Sequence, residues 1–344
     1  MNVKKEFFFF FFLLSPSLEG RLKPDEVEKI INKLNKDMLV ITDDFYCALK
    51  GKGVKVIKEF KKGEEKKRIT NFVDFYNKRF EFLRKLLEEK IDSAKLTSIN
   101  KLSYGEAVVI GMVRESDSKS FVLEDSTGSV KCVYDGSIIE DEVIGIEGKK
   151  NKETFKVDRV IYPDIPLNKR VNTTEDDCHV LFTHEMDEKT LSRDSLKENH
   201  IPYIFTFDIR EWNVNSPEQW LVGPREKVKK NDNKKIGVRL PSTVGIEGMR
   251  FFIFNFKTIE DIKRKLDIKD ERKLLISLLK RRHLSPFEYV EGDPYLLKEL
   301  PDVIFFTGGK ESFFLNYKGI SIISVTGEKD FILNLKTREF KEVS

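Results

Sequence analysis

A series of short apolar stretches, separated by turn signals, constrains the middle of this chain more than any other feature. Five stretches follow one another, at residues 107–113, 121–124, 130–134, 143–147 and 157–162. Apolar runs of this length predict short β-strands, and the turn Asp125-Ser126-Thr127-Gly128 between the second and third predicts a hairpin. Five short strands at this spacing predict a small five-stranded barrel.

The apolar stretches that follow the predicted barrel indicate a different architecture. They are continuous rather than alternating, which is typical of strands buried on both faces of a sheet. These runs lie at 180–182, 203–207, 250–254, 303–306 and 320–325. An amphipathic helix is predicted before the barrel, at 71–90, from aromatic residues and leucines on one side. A second helix, at 271–282, ends in cations that suit the negative end of a helix.

The first 70 residues allow two interpretations at each of two places. Lys4 and Lys5 precede the apolar run 7–14, which resembles a short signal peptide but is too short to cross a bilayer as a helix. We favour a buried helix in an N-terminal helical domain. The stretch 50–68, rich in lysine and glycine, is typical of a solvated linker, and a DNA-contacting tether is the alternative.

The charge balance limits how this chain could bind nucleic acid. Its 62 basic and 58 acidic residues leave a net charge of +4, so any such contact must come from local patches.

The three cysteines, Cys47, Cys132 and Cys178, are too scattered for a disulfide framework or a structural zinc site, which favours a reducing cytoplasm. No apolar run reaches transmembrane length, and we expect no membrane partner.

Several segments resemble the small subunit of the archaeal family D DNA polymerases. The strand at 109–113, the hairpin at 124–131 and the segments 142–148 and 158–166 follow the family's OB-fold barrel in order. Segment 278–286 reads Leu-Leu-Lys-Arg-Arg-His-Leu-Ser-Pro and is the most specific match. The predicted fold is therefore multidomain α+β. It has a helical domain at 1–48, a charged linker at 49–70, a helix with a five-stranded OB-fold barrel at 71–168, and a calcineurin-like phosphoesterase α/β sandwich at 169–344.

The resemblance also implies a phosphoesterase site in which two divalent metals, such as Mn²⁺, serve 3′–5′ exonuclease chemistry. This chain departs from the family pattern at most ligand positions. Asp208 keeps the family's carboxylate. The ligand positions as a whole fall on His184, Met186, Asp208, Glu226, Asn255, Gly309 and Glu311. Arg225 and Lys310 add positive charge among them, and the chain has four histidines in all.

We therefore expect no catalytic residue and no metal cofactor in this domain. The alternative is a rearranged site, with the ligands His184, Glu185, Asp208, Glu226, Asn255 and Glu311. Asp208 alone is better explained as a carboxylate that caps a turn or a helix.

The resemblance implies an accessory subunit that binds and stabilises the large catalytic subunit and meets DNA through that complex. Two alternatives are an active metal-dependent exonuclease subunit and a stand-alone OB-fold binder of single-stranded DNA. In the latter, bases would stack on Phe121, Tyr134 and Phe155, unless these aromatics fill the barrel. The residues predicted to contact DNA or a partner are Lys280, Arg281, Arg282, His283, Arg114 and Lys131, with Lys119 and Lys156 as further basic candidates on the barrel.

Overall fold

The structure, a computed structural model, describes residues 13–14, 40–41, 53–59, 69–186, 201–209, 220–226, 234–290, 292–327 and 329–343. The helices in these residues are α1 (Ile69–Glu88), α2 (Glu260–Lys265) and α3 (Glu271–Lys280). The first eight strands are β1 (Leu13–Leu14), β2 (Val40–Ile41), β3 (Val54–Glu59), β4 (Gly105–Ser116), β5 (Ser120–Asp125), β6 (Gly128–Val133), β7 (Val143–Lys150) and β8 (Thr154–Ile161). The remaining strands are β9 (His179–Met186), β10 (Tyr203–Ile209), β11 (Trp220–Pro224), β12 (Lys235–Val238), β13 (Ser242–Ile246), β14 (Met249–Asn255), β15 (Val303–Thr307), β16 (Phe313–Tyr317), β17 (Ile320–Ser324), β18 (Asp330–Asn334) and β19 (Phe340–Val343).

Most of the predicted N-terminal helical domain, 1–48, lies outside the described residues. Within it, β1 pairs parallel with β2, so Leu13–Leu14 is extended where the sequence predicted a helix.

The predicted linker, 49–70, also needs a correction. Val54–Glu59 pairs antiparallel with β13 and forms the edge of a six-stranded sheet. Val54 packs against the core of that sheet, which gives this charged stretch an apolar anchor.

The middle of the chain forms a closed barrel of five strands in the order β4-β5-β6-β8-β7. Neighbouring strands are antiparallel except β6 and β8, which run parallel. Alternate residues point inwards and form the barrel core, among them Val109, Leu123 and Phe155. The register between β7 and β8 shifts at Gly148, where a Cβ would lie 2.0 Å from the carbonyl oxygen of Lys156. A residue with a side chain would therefore push these strands apart.

Helix α1 lies against the outside of the barrel through an apolar stripe. Tyr76, Leu83 and Leu87 recur at helical spacing and are buried. They pack on outward-facing residues of β4 and β7, including Ile110 and Val143. The predicted amphipathic helix before the barrel is thus confirmed.

Two six-stranded sheets follow, in the orders β12-β11-β10-β9-β18-β19 and β16-β17-β15-β14-β13-β3. All five continuous apolar runs predicted as strands lie in them. Residues of β14 and β15 alternate between two cores. Phe251 and Phe305 pack against the other sheet, whereas Phe254 and Phe306 pack against α2 and α3. Burial on both faces explains why these strands are continuously apolar.

Phenylalanine side chains form much of the core between the two sheets. The rings of Phe182 and Phe205 are stacked with centroids 5.4 Å apart, and Phe305 meets Phe182 edge-on at 4.8 Å. Such offset and edge-on contacts are the arrangements that aromatic rings prefer. The described chain is a mixed α/β molecule, and none of its described helices is long and apolar enough to span a membrane.

Candidate functional site

The carboxyl ends of four strands bring several predicted metal-ligand positions to one edge of the two sheets. Asp208 lies beside Glu185 in the ladder of β9 and β10, and Asn255 lies beside Thr307 in the ladder of β14 and β15. The sheets are linked here because His184 Nδ1 lies 3.2 Å from the Thr307 hydroxyl oxygen. We call His184, Asp208, Asn255 and Thr307 the strand-end site. Carboxyl ends of parallel strands commonly form ligand-binding crevices.

The other predicted ligand positions have different surroundings. Met186 is buried in an apolar cluster, Gly309 has no side chain, and Glu226 is exposed beyond the end of β11. Glu311 forms an ion pair with Arg272 at 3.0 Å instead. The positions that share the strand-end site are therefore one imidazole, one carboxylate and one amide.

The donors that remain do not fit a pair of divalent metals. The Asn255 side-chain oxygen accepts a hydrogen bond of 2.9 Å from the Lys257 amide and caps the following 3₁₀ helix. Across the described ranges, no three histidine, cysteine, aspartate or glutamate residues are grouped closely enough to hold a metal ion. Of the rearranged set, His184, Asp208 and Asn255 lie in the strand-end site, with Glu185 beside Asp208, whereas Glu311 pairs with Arg272. Two dications require several anionic ligands at close range, so these residues do not support two-metal chemistry.

The two cations that the sequence places among the ligand positions have other surroundings. Arg225, after β11, donates to Glu59 of β3 at 2.8 Å and so links one sheet to the edge strand of the other. The Lys310 amide donates to the buried carboxylate of Glu271 at 3.1 Å, while the Lys310 side chain is exposed. Lys263 forms an ion pair with the same carboxylate at 3.0 Å. The buried negative charge of Glu271 is therefore balanced by an ammonium group.

The structure corrects the prediction for three of the residues expected to contact DNA or a partner. They are buried and unavailable for such a contact: Arg281, Arg282 and His283. Arg281 caps the end of α3 and donates to Glu142, which precedes β7 of the barrel, at 2.5 Å. Its guanidinium also lies 4.7 Å from the centre of the Tyr162 ring. Lys280, the remaining member of this basic run, is exposed.

A second buried cluster connects α1 with the segment that follows α3. His283 Nε2 lies 2.9 Å from Asp293 Oδ1. Asp293 also accepts two hydrogen bonds from the Arg79 guanidinium of α1, at 2.8 and 3.1 Å. We call the residues of these two clusters the buried joint: Arg79, Glu142, Arg281, His283 and Asp293. They hold α1 and the barrel against the chain around α3.

The pKa values in the buried joint follow from burial and neighbouring charges. Burial and the charge of Arg79 lower the pKa of His283 to about 4, against the opposing influence of Asp293. Burial alone would raise the pKa of Asp293, but the hydrogen bonds and charges of His283 and Arg79 outweigh it and lower that pKa. Near neutral pH a neutral imidazole therefore donates from Nε2, and its Nδ1 accepts the Ser285 amide at 3.0 Å. Both ring nitrogens are engaged, which makes the role of His283 structural.

Sequence reasoning missed the partners in the buried joint, although one signal was present. Arg79 stands on the apolar stripe of α1, three residues after Tyr76 and four before Leu83. A charged residue on such a stripe indicates a buried partner, because an unpaired charge inside a protein is costly. No comparable spacing pointed to Asp293 or Glu142.

The barrel residues considered for nucleic-acid binding divide into buried aromatics and exposed cations. Phe121 and Phe155 are 3% and 0% exposed and fill the barrel, so bases cannot stack on them. Tyr134 packs against the same core and is partly buried. Arg114 is exposed and pairs with Glu124 at 3.0 Å. Three lysines on the barrel are also exposed: Lys119, Lys131 and Lys156.

Comparison with known proteins agrees with the motifs. The chain is 22% identical to the DNA polymerase II small subunit of Archaeoglobus fulgidus over 340 residues, which covers 73% of this chain and 69% of that protein. It is 27% identical to the DNA polymerase II small subunit of Methanothermobacter thermautotrophicus over 135 residues, covering 34% of this chain and 27% of that protein. No family model matches the sequence.

Solved structures resemble parts of the chain only loosely. The telomere capping protein Ten1 from Saccharomyces pombe is 28% identical and covers 20% of this chain and 79% of its own, with a TM-score of 0.18. A novel archaeal phosphodiesterase is 10% identical and covers 48% of this chain and 98% of its own, with a TM-score of 0.29. Similarity at these scores carries no weight for the fold or the activity. In its motifs and its sequence, the chain is similar to the archaeal DNA polymerase II small subunits.

Proposed function

We propose that this chain is the accessory small subunit of an archaeal family D DNA polymerase and that it binds and stabilises the large catalytic subunit. The observation that carries the proposal is the similarity to the small subunit of Archaeoglobus fulgidus across 73% of the chain. The large subunit would supply nucleotide transfer, and this chain would meet DNA as part of the complex.

Finer assignments of the two regions belong to the same proposal. The barrel order β4-β5-β6-β8-β7 has five strands and one parallel pair, which fits an OB-fold. The two packed sheets contain the parallel pairs β9–β10 and β14–β15, and α2 and α3 cover the outside of one sheet. This layered α/β arrangement fits the calcineurin-like phosphoesterase sandwich that the motifs imply.

The proposal includes the loss of 3′–5′ exonuclease activity from this chain. Two-metal hydrolysis needs closely spaced anionic ligands that bind both metals and activate water. In the strand-end site the amide of Asn255 is used as a cap, and His184 bonds the Thr307 hydroxyl. Met186 and Gly309 stand where the family pattern has ligands. The domain would then serve as a docking surface.

A cytoplasmic location is part of the proposal as well. Two of the three cysteines lie in the described residues, and both Cys132 and Cys178 are buried. Burial raises the pKa of the Cys132 thiol to about 12, so it stays protonated and unreactive near neutral pH. A buried, protonated thiol of this kind suits a reducing compartment.

Co-expression with the large subunit from the same genome tests the docking role. We expect the two chains to co-elute from a size-exclusion column as a stable complex, and the complex to extend a primed template more processively than the large subunit alone. Separate elution of the two chains at micromolar concentration would contradict the proposal.

A nuclease assay on the same complex tests the proposed loss of activity. A single-stranded oligonucleotide labelled at its 5′ end is incubated with Mn²⁺ and either the native complex or the complex carrying Asp208→Asn. We expect equal, background-level shortening in both samples. Manganese-dependent shortening that disappears with Asp208→Asn would instead establish an active exonuclease subunit.

A further inference from the structure

An exposed set of lysines on the barrel is explained neither by the buried joint nor by the strand-end site. Four exposed lysines surround a valine that is 43% exposed. We call this set the lysine face: Lys119, Lys131, Lys149, Lys156 and Val133.

The strand register makes these residues close neighbours on the outer surface. Lys149 lies directly opposite Lys156 between β7 and β8, and Lys156 lies beside Val133 between β8 and β6. Lys131 lies two residues before Val133, so the two side chains share a face of β6. Lys119 immediately precedes β5, whose first residue pairs with Val133.

The lysine face is an unfavourable arrangement for the isolated barrel. Like charges directly opposite each other in a β-ladder are destabilising. The repulsion on Lys149 is partly offset by an exposed ion pair with Glu106 at 3.3 Å. Within the described residues, no ion pair is formed by the other three lysines: Lys119, Lys131 and Lys156. The pKa of the Asp117 carboxyl, just before β5, is lowered by its hydrogen bonds from Lys119 and Ser120 and then by the charge of Lys131, which Asp117 partly balances. Among the described residues, Lys119 and Lys156 have no such carboxylate in an ion pair, and Lys156 faces Lys149 directly, which indicates an anionic ligand.

We propose that the lysine face binds the phosphate backbone of DNA. The proposal deepens the function proposed above and rests on it for the choice of DNA as ligand. Neighbouring strands lie about 4.8 Å apart and alternate residues about 6.6 Å apart, so the ammonium groups of long, flexible side chains can follow a charged backbone. The aromatic rings of Phe121 and Phe155 point into the barrel, so this contact reads charge and not base sequence.

The closed barrel disfavours an acidic peptide as the ligand of this face. Extended peptides commonly dock by adding a strand to an open sheet edge, where backbone hydrogen bonds order them. All five strands of the barrel have a neighbour on both sides, so no such edge lies beside the lysines. A polyanion whose charges lie on its own backbone does not need that edge.

Fluorescence anisotropy on the full chain tests the proposal, with labelled single-stranded and duplex DNA of equal length over a series of salt concentrations. The test variant is Lys131→Glu with Lys156→Glu. The matched control is Lys269→Glu with Lys273→Glu, two exposed lysines at and before α3 that carry the same charge change. We expect the test variant to weaken DNA binding at least ~10-fold at low salt and the control to change it less than ~3-fold.

A neutralising pair gives a second, independent readout. With Lys131→Gln and Lys156→Gln, the slope of log affinity against log salt for single strands should become shallower by about 1.4, since each phosphate contact contributes about 0.7. Circular dichroism and thermal melting establish that each variant is folded. The affinity of the native chain should be independent of base sequence.

Three results would overturn the proposal. The first is equal DNA binding by the test variant and its control. The second is displacement of DNA by polyglutamate at lower charge concentration than by unlabelled DNA, which would favour an acidic protein ligand. The third is loss of the complex with the large subunit in the test variant, which would place that subunit on the lysine face. If the native chain binds DNA in this way but forms no complex with the large subunit, the proposed function fails and the lysine face stands.

Discussion

The buried joint and the strand-end site both gather polar side chains, but they differ in how completely those side chains are partnered. In the buried joint, the Asp293 carboxylate accepts hydrogen bonds from Arg79 and contacts His283, and Arg281 meets Glu142 in a second pair. In the strand-end site, the donors are few and are engaged one by one in caps and single hydrogen bonds. The difference shows that this chain uses its buried charge to connect its parts.

The same comparison changes the meaning of the motif that carried the family resemblance. Segment 278–286 is strongly basic and suggested a contact with DNA or a partner. Its two arginines and its histidine are instead buried. Arg282 turns the chain after α3 with φ 57° and donates to the Leu297 carbonyl oxygen at 2.8 Å. A distinctive sequence in this fold therefore marks a structural joint as readily as a functional surface.

The largest loss of stability is predicted in the buried joint, for Arg79→Ala. This change leaves the Asp293 carboxylate buried without its guanidinium partner, and breaking a buried ion pair typically costs about 3–5 kcal/mol. We expect the free energy of unfolding in urea to fall by this amount. Arg84→Ala, in the exposed pair with Glu88 on the same helix, should cost less than about 1 kcal/mol. Equal losses in the two variants would show that the joint does not stabilise the fold.

The titration of His283 should change the free energy of unfolding by a somewhat smaller amount, and this change depends on pH. Its pKa is lowered from 6.5 to about 4 in the folded chain, so between these values the unfolded chain binds a proton that the folded chain does not. Stability from this group is complete above pH 6.5 and is lost as the pH falls towards 4, by about 3 kcal/mol.

His283→Gln removes the titrating group but keeps a side-chain N–H for Asp293. We expect the difference in unfolding free energy between pH 7 and pH 4 to shrink by about 3 kcal/mol in this variant, as measured by urea denaturation at each pH. An unchanged pH dependence would mean that the imidazole is not held neutral in the joint.

The smallest loss of unfolding free energy is expected at an exposed ion pair formed by a predicted ligand position, Glu311. Arg272→Ala removes the ion pair with Glu311 and a contact with the Phe313 ring, both at a partly exposed position. Such pairs contribute about 0–1 kcal/mol, and we expect no more than that in urea denaturation. A loss as large as that of Arg79→Ala would show that charge near the strand ends is as tightly organised as in the joint.

Much of the fold could be predicted from the sequence because its patterns have simple physical causes. The alternating short strands give the barrel, and the continuous runs such as 250–254 give strands buried on both faces, as in β14. The stripe of α1 likewise follows from helical spacing. The edge strand β3 could not be predicted in this way, because its lysine-rich stretch reads as solvated and it is held mainly by pairing with β13.

The sites were harder to predict, since their partners are far apart in the chain. Asp293 lies 214 residues from Arg79, and Glu142 lies 139 residues from Arg281. No local pattern reports such a pair, so basic residues at a helix end were interpreted as a surface. The loss of metal ligands could be predicted without the structure, because Met186 and Gly309 have no side chain of the kind that hard divalent metals bind.

The central claim is that the strand-end site does not hold a pair of divalent metals. A measurement of Mn²⁺ binding to the full chain tests this claim most directly. Isothermal titration calorimetry with ~1 mM Mn²⁺ should give only heats of dilution, and the melting temperature should be the same with and without the metal, since a ligand that binds the folded chain raises it. Asp208→Asn should change neither result. Binding of two Mn²⁺ per chain, lost with Asp208→Asn, would contradict the claim and restore the strand-end site as a metal centre.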